Sequence, residues 1–120
     1  MAQSTNSSIL NNTVISQGAM FNYGIHITNG STNNITNNLI TTNGTYDNYP
    51  LYLLSSQSNI ITNNTLTSNG ISENYGAYFL RSQNNILHNN TIQTNGSSIN
   101  NHGILIWGDQ VRGSHNNNRV

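Results

Sequence analysis

The sequence predicts an all-β chain wound as a solenoid, with three short strands in each turn. Three observations predict it. Residues recur at a fixed interval: Gly18, Gly44, Gly70 and Gly96 are 26 positions apart, as are Asn12, Asn38, Asn64 and Asn90, and Asn11, Asn37, Asn63 and Asn89. Apolar and polar residues alternate within each copy, as in Ile25-His26-Ile27, and a period of two marks a strand. Helix is disfavoured throughout, because Asn, Thr, Ser and Gly are poor helix formers and no 3.6-residue apolar stripe is sustained.

The elements follow in order. The first strand of each copy carries Ile9, Ile35, Ile61 or Leu87, and the Asn-Asn pair after it makes a corner. The second carries Val14, Ile40, Leu66 or Ile92 and runs to the glycine column. The third has two inward positions: Ile25 and Ile27, Leu51 and Leu53, Ala77 and Phe79, Ile104 and Ile106. The last pair comes one residue late because the loop after Gly96 is one residue longer. The glycine column is expected to turn a corner with φ > 0. The Asn12 column is expected at a corner too, its amides bonding along the stack and to backbone groups that would otherwise lack partners.

Two other organisations compete with the solenoid. Asn-rich low complexity would leave the chain disordered, but such a sequence does not hold four apolar columns in register. Asn-Gly at 29–30, 43–44, 69–70 and 95–96 could form type I′ hairpin turns of an antiparallel meander. A meander gives no reason for like residues to recur every 26 positions. In a parallel stack they lie above one another, about 4.8 Å apart, and Asn on Asn exchanges amide hydrogen bonds.

Composition narrows the function. Of 120 residues 26 are Asn, three are Arg and three are acidic; Lys is absent and the formal net charge is zero. That excludes a nucleic-acid binder, which needs a basic stripe, and a polybasic membrane contact. No apolar run approaches the roughly 20 residues of a membrane span, so membrane insertion is not expected. With no Cys there is no disulfide, thiolate metal site or Cys nucleophile.

The strings Asn33-Asn34-Ile35-Thr36-Asn37-Asn38, Asn84-Asn85-Ile86-Leu87-His88-Asn89-Asn90-Thr91-Ile92 and Tyr23-Gly24-Ile25-His26-Ile27 resemble the repeats of right-handed parallel β-helix proteins. The resemblance covers residues 7 to 110, nearly the whole chain, and departs at Pro50, where Gly24 and Gly76 have glycine. It implies a right-handed parallel β-helix over residues 1–110, in about four and a half turns, with residues 111–120 as a polar tail. Such repeats occur in carbohydrate-binding proteins, sugar hydrolases, polysaccharide lyases and many surface proteins. The stack is about 20 Å tall. Without a capping helix its ends expose strand edges, so the chain is expected to be a piece of a longer solenoid or to stack on a partner.

The carboxylates are Asp47, Glu73 and Asp109. Asp47 and Glu73 are 26 apart, which places them on adjacent turns about 5 Å apart, a spacing that suits a retaining glycosidase pair or a shared Ca²⁺. The plainer reading is two solvated loop acids, because sugar cleavage needs an acid in a walled cleft. His26, His88, His102 and His115 fall in different columns, so no metal site or cofactor is assigned. The Thr columns break at Leu10 and His88, and at Ile15 and Gln93, which weakens an ice-binding face. Eight Asn-x-Ser/Thr sequons are close to chance for this composition.

Apolar residues on the outward face carry the functional reading. Between the inward positions of the third strand lie His26 and Thr28, Tyr52 and Leu54, Tyr78 and Leu80, Leu105 and Trp107. Tyr23, Tyr49 and Tyr75 form a further aromatic column. From the second turn onward, Tyr52, Leu54, Tyr78, Leu80, Leu105 and Trp107 are expected as an exposed patch, and patches of this kind mark interaction surfaces. Three uses compete: cover by one of the chain's own termini, lateral self-association, and stacking on a sugar. The leading expectation is a non-catalytic, extracellular or cell-surface structural module that forms a homo-oligomer or filament through this face, its open ends, or both. The alternative is a carbohydrate-binding module or a fragment of a polysaccharide-active protein, with a polysaccharide as partner.

Overall fold

The interval of 26 residues is the length of one turn. In a computed structural model, which describes residues 4–108 and 118–119, twelve strands are laid down three per turn. The first turn holds β1 (Ser8–Leu10), β2 (Thr13–Gln17) and β3 (Met20–Thr28). The second holds β4 (Asn34–Thr36), β5 (Leu39–Asn43) and β6 (Tyr46–Leu54). The third holds β7 (Ile60–Thr62), β8 (Thr65–Gly70) and β9 (Ser72–Leu80), and the fourth β10 (Ile86–His88), β11 (Thr91–Gly96) and β12 (His102–Trp107).

Equivalent strands stack into three parallel sheets, β1-β4-β7-β10, β2-β5-β8-β11 and β3-β6-β9-β12. Ile9 pairs with Ile35, Val14 with Ile40 and Ile25 with Leu51, each 26 residues on. The β9–β12 pair is offset by one more, with Ala77 beside Ile104, so the longer loop after Gly96 is absorbed before β12. Parallel pairing throughout excludes the hairpin meander. No helix among the described residues is long and apolar enough to cross a membrane.

Each turn sends one apolar side chain inward from each of its first two strands and two from its third, with Thr42 and Ser68 buried beside Ile40 and Leu66 on the second strand. Ile35, Ile40, Leu51, Leu53, Ile61, Leu66 and Phe79 are fully buried, and Ile9, Val14, Ile92 and Ile104 pack half-buried on the outer turns. In the third turn Ala77 and Phe79 stand where the second has Leu51 and Leu53, a small–large exchange that keeps the cross-section filled.

The corners are held by asparagine. Asn38 donates both its backbone N–H and its Nδ2 to Oδ1 of Asn64, and Asn64 does the same to Asn90. Two further ladders of this kind were not singled out from the sequence. One runs Asn33, Asn59, Asn85, Asn118, and the other Asn22, Asn48, Asn74, Asn101. All were present as columns at intervals of 26, with 27 before Asn101 and 33 before Asn118.

The glycine column is corrected. None of Gly18, Gly44, Gly70 and Gly96 has a positive φ. Left-handed backbone falls instead on Asn11, Asn37, Asn63 and Asn89, at φ 53–57°, and on Phe21, Asp47, Glu73 and Asn100. Glycine is needed for closeness. A Cβ on Gly44 would stand 2.1 Å from Asn22 Nδ2 and 2.5 Å from both Asn48 Oδ1 and the Gly18 carbonyl oxygen.

The tail is not wholly separate from the solenoid. Arg119 bridges to Ile86, its carbonyl accepting from the Leu87 N–H, and Asn118 accepts from Asn85 as the next rung of that ladder. The pair occupies the start of a following turn. Asp109, His115 and tail positions 111–117 and 120 lie outside the described residues.

Candidate functional site: an aromatic double ladder

The third sheet carries two files of stacked rings. They arise because β3, β6, β9 and β12 stack in register, so an aromatic residue repeated at one position meets its copy on the next turn. In the first file Tyr23 stacks on Tyr49 with centroids 5.3 Å apart, Tyr49 on Tyr75 at 5.0 Å, and Tyr75 on His102 at 5.6 Å. In the second, His26 stacks on Tyr52 at 4.5 Å and Tyr52 on Tyr78 at 5.1 Å. The files meet edge to face, with Tyr49 set against Tyr52 and Tyr78 at 70° and 74°.

This arrangement changes the expected patch. Tyr78 is only 9% exposed and Tyr49 6%, and Tyr52, Leu54, Leu80 and Leu105 are half-buried. Of the six outward residues singled out from the sequence, Trp107 alone stays open, at 62%. The rings cover one another: Tyr52 has His26 on one face and Tyr78 on the other. What the double ladder shows to solvent is ring edges, whereas a sugar stacks on a free face.

Burial among the rings pushes the phenols of Tyr23, Tyr49, Tyr52, Tyr75 and Tyr78 above their ordinary value. It pushes the His26 imidazole down. The Tyr49 phenol is raised further because its hydroxyl donates to Asp47 Oδ1, at 2.5 Å.

Asp47 and Glu73 share one column on adjacent turns and are hydrogen-bonded through their side chains, which raises the Glu73 carboxyl above its ordinary value. Among the described residues no group of three or more His, Cys, Asp or Glu side chains could hold a metal ion.

At the C-terminal edge of this sheet Tyr78, Leu80, Arg81, Trp107 and Gly108 line an open depression of about 290 Å³. A second, of about 350 Å³, lies against the last core layer and is lined by Leu87, Asn89, Asn90, Ile92 and Ile104.

Comparison with curated proteins and comparison with solved structures each return no match. A family model described as "Right handed beta helix region" matches residues 1–120. With its parallel sheets and its 26-residue turns, the chain belongs to the right-handed β-helix family.

Proposed function

We propose that this chain is a non-catalytic structural module, displayed outside the cell and assembling with further copies of itself. The observation that supports this best is the mutual cover of the ladders. Ring faces, amide groups and apolar columns are committed to the neighbouring turn, an arrangement that builds a stiff rod and leaves few groups to meet a small substrate. The route to assembly is the end of the rod and the open Trp107 beside it. Exposed apolar side chains occur on every turn but are more numerous on the first, as Leu10, Ile15, Met20 and Phe21, and on the last, as Ile86, Ile99, Ile106 and Trp107, than on the two between, which show Leu39, Tyr46, Ile60 and Ile71. Surfaces of this kind favour association. The scarcity of charge and the self-bonded polar columns suit a long-lived extracellular scaffold.

Particle size after gel filtration, by light scattering with electron microscopy of the same fraction, tests the proposal. Concentration-dependent oligomers or filaments are expected, weakened by Trp107→Glu. A monomer at every concentration counts against it, as does a Trp107→Glu variant that assembles like the parent.

A second reading is favoured by the depression beside Trp107. There an open indole face and Arg81 flank a cavity large enough for a sugar residue. The chain has a single Trp, so indole fluorescence reports on this place alone. A shift on adding polysaccharide, lost in Trp107→Ala, would support carbohydrate binding. No shift and no hit on a glycan array would remove it.

A further inference from the structure

Tyr49 differs from every other ring in the ladders by having a base attached. Its hydroxyl donates to Asp47 Oδ1 at 2.5 Å, while its ring lies nearly parallel to that of Tyr75, at 8° and 5.0 Å between centroids. A phenol gives up an electron most readily when its proton has somewhere to go, and a carboxylate within hydrogen-bond reach is such an acceptor. A second phenol held face to face supplies the partner for coupling at high effective concentration. Asp47 lies outside the stack, so it can take the proton without disturbing the rings.

We infer that Tyr49 and Tyr75 form an oxidative cross-linking site, at which a one-electron oxidant joins the two rings by a carbon–carbon bond between adjacent turns. Two equivalents of oxidant each remove one electron. Tyr49 passes its phenolic proton to Asp47, and Tyr75 loses its own to solvent. The two neutral phenoxyl radicals couple through ring carbons ortho to oxygen. Enolisation then returns both rings to phenols, the ortho hydrogens leaving as protons while the oxygens are reprotonated. The net change is the loss of two electrons and two protons, and the oxidant is reduced by two electrons. Tyr75 is half-buried, so an outer-sphere oxidant reaches the pair through its open edge. The bond would staple the second turn to the third whether or not copies of the chain assemble.

Tyr46 is the built-in control. It is 40% exposed and lies outside both files, in the column of Met20 and Ser72. Were accessibility alone to govern the reaction, Tyr46 would react first.

The test is photo-oxidation of the full chain by tris(bipyridine)ruthenium with persulfate, which generates the ruthenium(III) oxidant. Products are read by dityrosine fluorescence, intact mass and peptide mapping. A monomeric product lighter by two hydrogens, with its link between Tyr49 and Tyr75, is expected. Tyr49→Phe should abolish that link and Tyr46→Phe should leave its yield unchanged. Asp47→Asn should slow it several-fold with the aromatic circular dichroism unaltered; Asn is at home in the left-handed backbone of that position, so the stack is retained. The inference is overturned if no link forms, if the main product joins separate chains or contains Tyr46, or if the link is confined to Tyr52 and Tyr78. It is equally overturned if Asp47→Asn reacts as fast as the parent.

Discussion

Asn38 and Asn64 occupy the same corner on neighbouring turns, and the backbone N–H and Nδ2 of Asn38 both reach Oδ1 of Asn64 at 2.9 Å. Nδ2 of Asn64 in turn donates to the Ile35 carbonyl oxygen at 2.8 Å and to Asn90 at 3.0 Å. One amide thus serves the turn below, the turn above and the corner backbone, with Asn38 and Asn64 buried and Asn90 half-buried. Aspartate could accept these bonds but not donate them; serine, which accepts an N–H and donates to a carbonyl at the Ser56 and Ser82 corners, has a single hydrogen and cannot also donate to the next turn.

Asn64→Ala removes this amide, leaving the Asn38 N–H buried without its acceptor and the Ile35 carbonyl oxygen without its side-chain donor. Each stranded group costs about 1–3 kcal/mol. A loss of about 3–5 kcal/mol is expected, measured by urea unfolding. A loss below about 1 kcal/mol would show that water or a backbone shift replaces the amide.

Its neighbour Asn63 does a different job. It is exposed and holds φ at 55°, where Asn and Gly carry little strain and β-branched residues carry more, although Thr32 adopts the same backbone at 54°. Asn63→Gly should change stability by less than about 1 kcal/mol, whereas Asn63→Val should cost about 1–3 kcal/mol. Equal effects from the two substitutions would refute a conformational role for this column.

Thr42 is the place where burial is not matched by bonding. Its hydroxyl is buried with no hydrogen-bond partner, while Ser68, one turn on, donates to the Asn48 carbonyl oxygen at 2.6 Å. Thr42→Val keeps the shape and removes the stranded group. It should raise stability by about 1 kcal/mol, and Ser68→Ala should lower it by about as much. Thermal unfolding of the two variants side by side checks both signs.

The Glu73 carboxyl is raised by its hydrogen bond to Asp47, so the folded chain binds that proton more tightly than the unfolded chain does. The contribution is fully present below the ordinary value of 4.5 and is lost as pH climbs through the raised one. For a half-exposed pair screened by solvent it amounts to about 0.5 kcal/mol. The melting temperature of the parent should decline slightly across this window. Glu73→Gln, which keeps a donor toward Asp47 at every pH, should not share that decline.

The sequence by itself determined the winding of this chain. A column can repeat Ile9, Ile35, Ile61 and Leu87 only if like meets like, and parallel stacking at one turn per repeat is the arrangement that makes them meet. The Asn corner at Asn12 was legible for the same reason, and the extra residue after Gly96 correctly predicted the shift of Ile104. Handedness came with the family. What alternation could not give was exposure. Tyr52 and Tyr78 point outward, as their positions require, yet they are largely covered, because rings on successive turns stand 5.1 Å apart and leave no room for water between them. The glycine column misled for a related reason. Local rules offer glycine for positive φ, while here Gly44 is kept small by the Asn22–Asn48 ladder that crosses beside it. Which side chain shields another, and which amide leaves no room for a Cβ, depends on distances between turns, and those exist only once the chain has closed on itself.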